Sequence, residues 1–485
     1  MARSGMPSNP LRPLAAALIV MFGIVPHEVC AAPAVTNCDD SGPGSLRAAV
    51  AAAAQIDTVD ASQLPCSTIS LTTGGILVGQ SALTISGPGS DKLTIDGTHN
   101  ASGYSLIMNL APGTLALNNM TLSHSYFYTN SPTKYFGGGC VFSSGGLTLD
   151  HMVLSGCEFV NGKRPARGGA AYAGGDLTVT NSIITGNVAR ATPTAFFYDP
   201  YTQSRFYYSG SGGGVFAKGN ATVDHSTIAN NVTFADVYST SFSGDGGGIE
   251  VRGNANISDS TISGNVSATG TGMLCSGSLT ITGSTISGNG TGAAVFLPKF
   301  LQSPPDQSGL IVNSTISGNS GTAFYTRAPS SIYNSTIAFN TSTYTDAAVT
   351  AAQAGTTLVL DSSILADNFP ADLGVKNGGS IVSGAYSIVV HSSVTVAGAM
   401  SFCPQLEPLR DNGGPTQTHA LKHTSPAIDA GSNPRSLQND QRGTGYSRAF
   451  GVKADVGAFE WRGGADETVF RDGFDGPNPF CELVL

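Results

Sequence analysis

Charge is what this sequence has least of. Only 11% of its 485 residues are Asp, Glu, Lys or Arg, against roughly 25% in an ordinary globular chain. The formal net charge of −9 comes with no basic stripe, which excludes a nucleic-acid partner, because phosphate binding needs clustered Lys and Arg. Hydrophobic residues reach 40%, which excludes a disordered chain. No stretch has helical period. Beyond the N-terminus, no apolar run is long enough to cross a bilayer as a helix. What the chain does have is 62 glycines and many Ser, Thr and Asn, a composition that suits stacked β-coils with tight corners.

The N-terminus reads as a signal peptide over residues 1–31. Arg3 and Arg12 precede the apolar run Leu14–Val25, and small residues follow with a cut near Ala31. A buried core helix is the alternative. His27, Glu28 and Val29 before Cys30 do not suit a lipoprotein. Eight cysteines less Cys30 leave seven, and export permits disulfides. Position suggests the pairs Cys38–Cys66 and Cys403–Cys481, and an odd count leaves at least one free thiol.

One string recurs: Ser260-Thr-Ile-Ser-Gly-Asn265, Ser284-Thr-Ile-Ser-Gly-Asn289 and Ser314-Thr-Ile-Ser-Gly-Asn319, with looser copies ending at Asn187, Asn231, Asn340 and Asn368 and the frame extending back to Cys157 and Ser125. The closest copies lie 21 and 24 residues apart and the widest 44, so a short coil carries loop insertions. Two aliphatic columns run through the copies. One is Leu117, Leu149, Val179, Val223, Ile257, Ile281, Ile311, Ile332 and Leu360; the other stands five residues later, from Leu122 to Leu365. An odd offset puts two residues of one strand on opposite faces, so burying both requires a bend between them. Between them runs Asn119, His151, Asn181, His225, Asp259, Gly283, Asn313, Asn334 and Ser362, residue types that tolerate left-handed backbone. Each coil is therefore strand, one-residue corner, strand. The recurring Asn closes a second corner, and the predicted role of Asn187, Asn231, Asn265, Asn289, Asn319, Asn340 and Asn368 is a structural ladder of stacked amides. A third strand follows the Gly-rich runs, with alternation placing Cys275 in the core as the free thiol.

These features predict an all-β, right-handed, single-stranded parallel β-helix with three strands per coil. The expected organisation is an N-terminal cap over 32–82, the β-helix over 83–400, a C-terminal region over 401–462 and a tail over 463–485. The pattern resembles the pectate-lyase-like superfold. The head, Cys38-Asp-Asp-Ser-Gly-Pro-Gly-Ser-Leu-Arg-Ala-Ala, resembles in part the "CSLREA" segment of exported bacterial β-helix proteins. Leu409-Arg-Asp-Asn-Gly-Gly-Pro-Thr-Gln-Thr418, Ser425-Pro-Ala-Ile-Asp-Ala-Gly431, Asp440-Gln-Arg-Gly443 and Asp455-Val-Gly-Ala-Phe-Glu460 are similar to the choice-of-anchor Q domain. That resemblance implies export and surface display rather than a reaction. The last residues, with Phe470-Arg-Asp-Gly-Phe474, read either as a sorting element or as a cap.

Searching for chemistry returns little. The Asn-Thr-Asp, coil Asp-Asp, Gly-His-Gly and Arg-Ile-Lys motifs of polygalacturonase-like enzymes are absent, and Asp39-Asp40 lies in the head. No acidic cluster for Ca²⁺ gathers on a coil. Lys218 and Arg252 stand in adjacent coils, with Glu250 and Asp245 nearby, and either hold an anion between them or splay into solvent. His151 and His225 serve as corners before they serve as catalysts. The insertions after Ser125, Cys157, Asn187 and Asn231 enter at one corner of four successive coils and are rich in aromatics, among them Phe127, Phe136, Phe159, Phe196, Phe206 and Phe242. Tyr126, Tyr128, Tyr135, Phe197, Tyr198, Tyr201, Tyr207, Tyr208, Phe234 and Tyr238, with Lys218 and Arg252, form the candidate ligand patch. The other reading of these aromatics is that they pack on one another and shield the coil flank. The expected function is non-catalytic, adhesin-like binding of polysaccharide or a cell-surface protein by an exported, monomeric chain. The alternative is a carbohydrate-active lyase or hydrolase, under which alone Ca²⁺ would be a cofactor.

Overall fold

The computed structural model describes residues 1–2, 34–98, 103–131, 137–192, 196–199, 204–207, 209–235, 244–300, 303–342 and 346–463, with 196–199 and 204–207 described by backbone alone. The signal peptide and the tail therefore lie outside the described residues, apart from Met1 and Ala2. Three long, all-parallel sheets of 12, 12 and 11 strands run the length of the molecule. Each coil contributes one strand to each, in the order sheet I, sheet II, sheet III, and the chain winds as a right-handed parallel β-helix. The first coil starts at Asp57, inside the stretch read as a cap, and the last strand ends at Val389.

The two aliphatic columns are the inward rows of sheets I and II. Leu117, Leu149, Val179, Val223, Ile257, Ile281, Ile311, Ile332 and Leu360 are fully buried, as are Leu122 to Leu365 in the second row. Each such side chain contributes about 1.5–3 kcal/mol by leaving water. The bend between the rows is where the odd offset requires it: all nine corner residues from Asn119 to Ser362 have φ between 44° and 61°.

At the second corner the left-handed residue is the one before the repeating Asn, for example Gly264 at φ 63°. The Asn itself turns inward and is buried. Asn187 Nδ2 donates to Asn231 Oδ1 at 2.9 Å, Asn231 to Asn265 at 3.0 Å, Asn265 to Asn289 at 3.1 Å, Asn289 to Asn319 at 2.9 Å, Asn319 to Asn340 at 2.8 Å and Asn340 to Asn368 at 2.9 Å. The ladder is polar, because every rung donates toward the C-terminus. It ends on an acceptor with no amide to pass on: Asp372 Oδ1 takes both Asn368 N–H and Nδ2, and its Oδ2 takes His391 N–H at 2.7 Å. A second ladder runs beside it, in which the backbone N–H of each repeat Ser donates to the next Ser hydroxyl, from Ser182 to Ser387.

The helix Leu46–Ala52 covers the N-terminal end with Leu46 and Val50, and Ser45 caps it through Ala48 N–H. Arg47 donates to the carbonyls of Gly74 and Gly75 and to Asp40, whose carboxylate also accepts from Thr72 and Thr73. The head motif thus ties the cap to the first coil. Cys38 bonds to Cys66 as position suggested, and Cys275 is the buried free thiol. Cys140 bonds to Cys157, a pair the sequence reading did not identify. Cys403 is also disulfide-bonded, to a partner outside the described residues.

Residues 401–463 lie along the outer face of sheet II over its C-terminal coils. Gln441 donates to Ser284 O and accepts from Thr315 Oγ1, Thr416 donates to Gly283 O, and Ser317 meets His419 at 2.8 Å. The charged residues of the last two motifs, Asp440, Arg442, Asp455 and Glu460, are turned inward. Arg442 pairs with Asp440 at 2.6 Å and Arg448 with Glu460 at 2.8 Å, all four buried. Phe459 and Tyr446 stack on Arg442 at 3.8 and 4.0 Å.

Candidate functional site

The four insertions do not begin as loose loops. They start as a fourth parallel sheet, Tyr126–Thr129, Glu158–Asn161, Val188–Ala191 and Val232–Ala235, stacked coil on coil over sheet III. Alternation splits their side chains into two rows. Phe127, Phe159, Ala189 and Thr233 are in register on the inner row. There Phe127 and Phe159, 5.0 Å apart, join Phe142, Tyr172 and Phe216, the outward row of sheet III. Those last three rings stack at 5.3 Å spacings. Sheet IV and sheet III thus enclose a second, aromatic core.

The outer row is mixed, with Val160 buried between exposed aromatics. Tyr126, Tyr128 and Phe234 keep 55%, 45% and 42% of their surface. Glu158 pairs with Arg190 at 2.9 Å, and Arg190 lies over the Phe234 ring at 5.1 Å. The inner row packs on sheet III as the shielding reading expects, while Tyr126, Tyr128 and Phe234 of the candidate patch stand exposed on the outer row. The inner row shields the coil flank, and the outer row presents Tyr126 and Tyr128 on its first strand and Phe234 on its last, with Val160 and Arg190 between. Phe196, Phe197, Tyr198, Phe206 and Tyr207 belong to an antiparallel hairpin described by backbone only. Tyr135, Phe136, Tyr201, Tyr208, Tyr238 and Phe242 lie outside the described residues.

The expected cation pair is organised differently from its sequence reading. Lys218 and Arg252 do follow aligned strands of neighbouring coils, but Arg252 forms an ion pair with Glu250. Glu250 faces outward from sheet III between Phe216 and Leu274, yet it is fully buried. Burial raises its pKa against the opposing Arg252, Ser211 and Arg167. Beside it, burial and the Glu250 charge push the Asp245 carboxyl up to about 7. This is a charge cluster at the base of the insertions, in which the solvent-facing Arg252 pairs with the buried Glu250. Lys218 and Arg252 are both exposed, but only Arg252 has an ion-pair partner among the described residues.

A separate cluster sits at the corner between sheets I and II, where Asp224, His225 and Asp259 bring one ligand atom each within 4.8 Å. Asp224 Oδ2 meets His225 Nδ1 at 2.8 Å, which raises the imidazole pKa, and Asp224 Oδ1 accepts from Ser258 at 2.6 Å. His151 pairs with Asp150 in the same way. Both histidines have the left-handed corner conformation expected of them. Among the described residues no helix is long and apolar enough to cross a membrane.

No family model matches the chain, and no curated protein matches it. Among solved structures it is similar to the crystal structure of pectate lyase Pel9A, at 15% identity and a TM-score of 0.43, over 88% of this chain and 96% of that one. It is also similar to the A-module of the Azotobacter vinelandii mannuronan C-5 epimerase AlgE4, at 13% identity and a TM-score of 0.34, over 74% of this chain and 100% of that one.

Proposed function

We propose that this is an exported β-helix protein that binds polysaccharide, without cleaving it, on the outer face of its fourth sheet. The observation that carries the reading is the outer row itself. Tyr126, Tyr128 and Phe234 are held exposed on a rigid sheet backed by a packed aromatic core. Sugar rings present apolar C–H faces that stack on such side chains, as they could on the neighbouring Tyr126 and Tyr128 of one strand. Glu158 and Arg190 between them supply polar partners for hydroxyl groups. Glu158 is the one carboxylate on that row among the described residues, and its pairing with Arg190 leaves no second acid beside it for general acid–base cleavage.

Export is supported by the disulfides, which persist in oxidising compartments, and by the reading of residues 1–31 as a signal peptide. Residues 401–462 are read as a region of choice-of-anchor Q type. Gln441, Thr416 and His419 dock it on the β-helix, and surface display in an adhesin-like role would come from that region together with the tail.

The test is affinity electrophoresis or calorimetry on a panel of soluble polysaccharides, with the double variant Tyr126→Ala/Tyr128→Ala. The expected result is binding of at least one glycan by the native chain and loss of about tenfold or more in the variant, with an unchanged melting temperature. A variant that binds like the native chain contradicts the reading, and so does release of reducing ends or unsaturated products from the bound glycan.

A further inference from the structure

Hydroxyls, amides and backbone groups carry much of the contact between the C-terminal region and sheet II. Thr285 Oγ1 donates to Gln417 O, Asn313 Nδ2 to Asn439 O, Asn334 Nδ2 to Ser432 O and Ala458 N–H to Thr336 Oγ1. Charge enters through Asp361, which accepts from Ser432 Oγ, and Arg448, which reaches Asn313 Oδ1. Among these groups stands an imidazole. His419 is 2% exposed, and both of its nitrogens are engaged. Nδ1 lies 2.7 Å from the Glu407 carbonyl, which can only accept, so Nδ1 carries the proton. Nε2 of the neutral ring is then the acceptor for Ser317 Oγ of sheet II at 2.8 Å. Phe339, directly after the next strand of that sheet, packs on the imidazole with ring centres 5.0 Å apart.

A second proton would leave a buried cation at this interface. The Ser317 hydroxyl can turn to accept from a protonated Nε2, but among the described residues no carboxylate bears on the ring. From sheet II it meets Ser317 and Phe339, and from its own region the Glu407 carbonyl. Burial pushes the imidazole down to about 4 from 6.5, against the pull of that carbonyl. The docked region therefore holds this proton less tightly than a released imidazole does. His419 supports docking fully above about pH 6.5 and loses that support as pH falls toward about 4. Asp455 and Glu460, also in the C-terminal region, are shifted upward by burial, so acid favours the docked form through them and cannot produce the same loss. We infer that His419 is an acid-sensitive clasp, through which the C-terminal region loosens its hold on sheet II as the medium turns acidic. This goes beyond the polysaccharide-binding reading and does not depend on it.

Trp461 is the single tryptophan of the chain. It packs on the apolar cluster that joins Ala338 and Ile364 of sheet II to Leu406 and Phe459 of the C-terminal region, so its fluorescence reports docking without a label. The test follows that fluorescence in urea on the full chain at pH 7 and pH 4.5, beside far-ultraviolet circular dichroism of the β-helix. In the native chain the equilibrium constant for docking is expected to fall about tenfold or more between the two pH values. At pH 4.5 the Trp461 transition should precede loss of the β signal. His419→Gln, whose amide takes up no proton, should lack the fall. Ser317→Ala keeps the imidazole but denies its protonated form the hydroxyl, so its fall should be at least as large as the native one. Because the reading is a change between two pH values, a variant that docks more weakly at both still reports it. An equal fall in His419→Gln, a smaller one in Ser317→Ala or none in the native chain overturns the inference. Tryptophan and dichroism transitions that stay coincident at pH 4.5 overturn it as well.

Discussion

At the scale of single residues, the amide ladder makes the sharpest demands. Asn265 gives both its N–H and its Nδ2 to Asn289 Oδ1, and Asn289 does the same to Asn319. Asn289→Ala leaves two buried donors of Asn265 without an acceptor, at about 1–3 kcal/mol each. Asn289→Asp keeps the acceptor for Asn265 but sets a carboxylate against Asn319 Oδ1, so it should destabilise as well, and denaturant unfolding would measure both. The terminal acceptor carries a pH signature. Burial pushes the Asp372 carboxyl up to about 7 from 3.8, so the folded state holds this proton more tightly than the unfolded chain does. Its contribution to stability is therefore greatest below about pH 4, declines as pH rises to about 7, and is flat above. Asp372→Asn lacks that titration, although it sets an amide against His391 N–H. Its melting temperature should lie furthest below the native value at pH 4 and approach it toward pH 7. A constant gap across that range would contradict the assignment.

Elements show which parts of the molecule were legible beforehand. The corners were readable because left-handed backbone restricts residue type, and Asn119, His151, Asn181 and Asp259 report that restriction directly. The ladder was readable because stacked amides need one identical side chain per coil. The fourth sheet was not. Its strands YFYT, EFVN, VARA and VTFA share no consensus, since their inner row packs on sheet III aromatics that differ from coil to coil. Glu250 was named as a neighbour of Arg252, but its burial was invisible because the covering segments are remote in sequence. The Cys140–Cys157 bridge was hidden because the fourth sheet that brings the two together was itself not legible. Cys157 occupies the ladder column one coil before Asn187, whose Oδ1 accepts its N–H, so the bridge staples sheet III to the base of the fourth sheet where the amides run out. Closing a loop of separation 17 stabilises by roughly 3 kcal/mol. Cys140→Ala with Cys157→Ala should lose about that much in thermal unfolding. Cys140→Ala with Cys157→Asn should recover part of it by adding one rung to the ladder, and no recovery would mean that the column cannot extend past Asn187.

For the whole molecule, the β-helix is a scaffold with two flanks covered by different means. The C-terminal region, held by its own buried ion pairs, covers sheet II through amide and hydroxyl contacts, and the insertions cover sheet III through an aromatic core. The second cover carries the exposed Tyr126, Tyr128 and Phe234, which is why function is placed there. Hydrogen–deuterium exchange on the native chain, with and without a polysaccharide it binds, tests that placement most directly. The account predicts protection concentrated in residues 126–129, 158–161, 188–191 and 232–235, with the exposed faces of sheets I and II unchanged. Protection confined to sheets I and II, or to the corner at Asp224, His225 and Asp259, would contradict it.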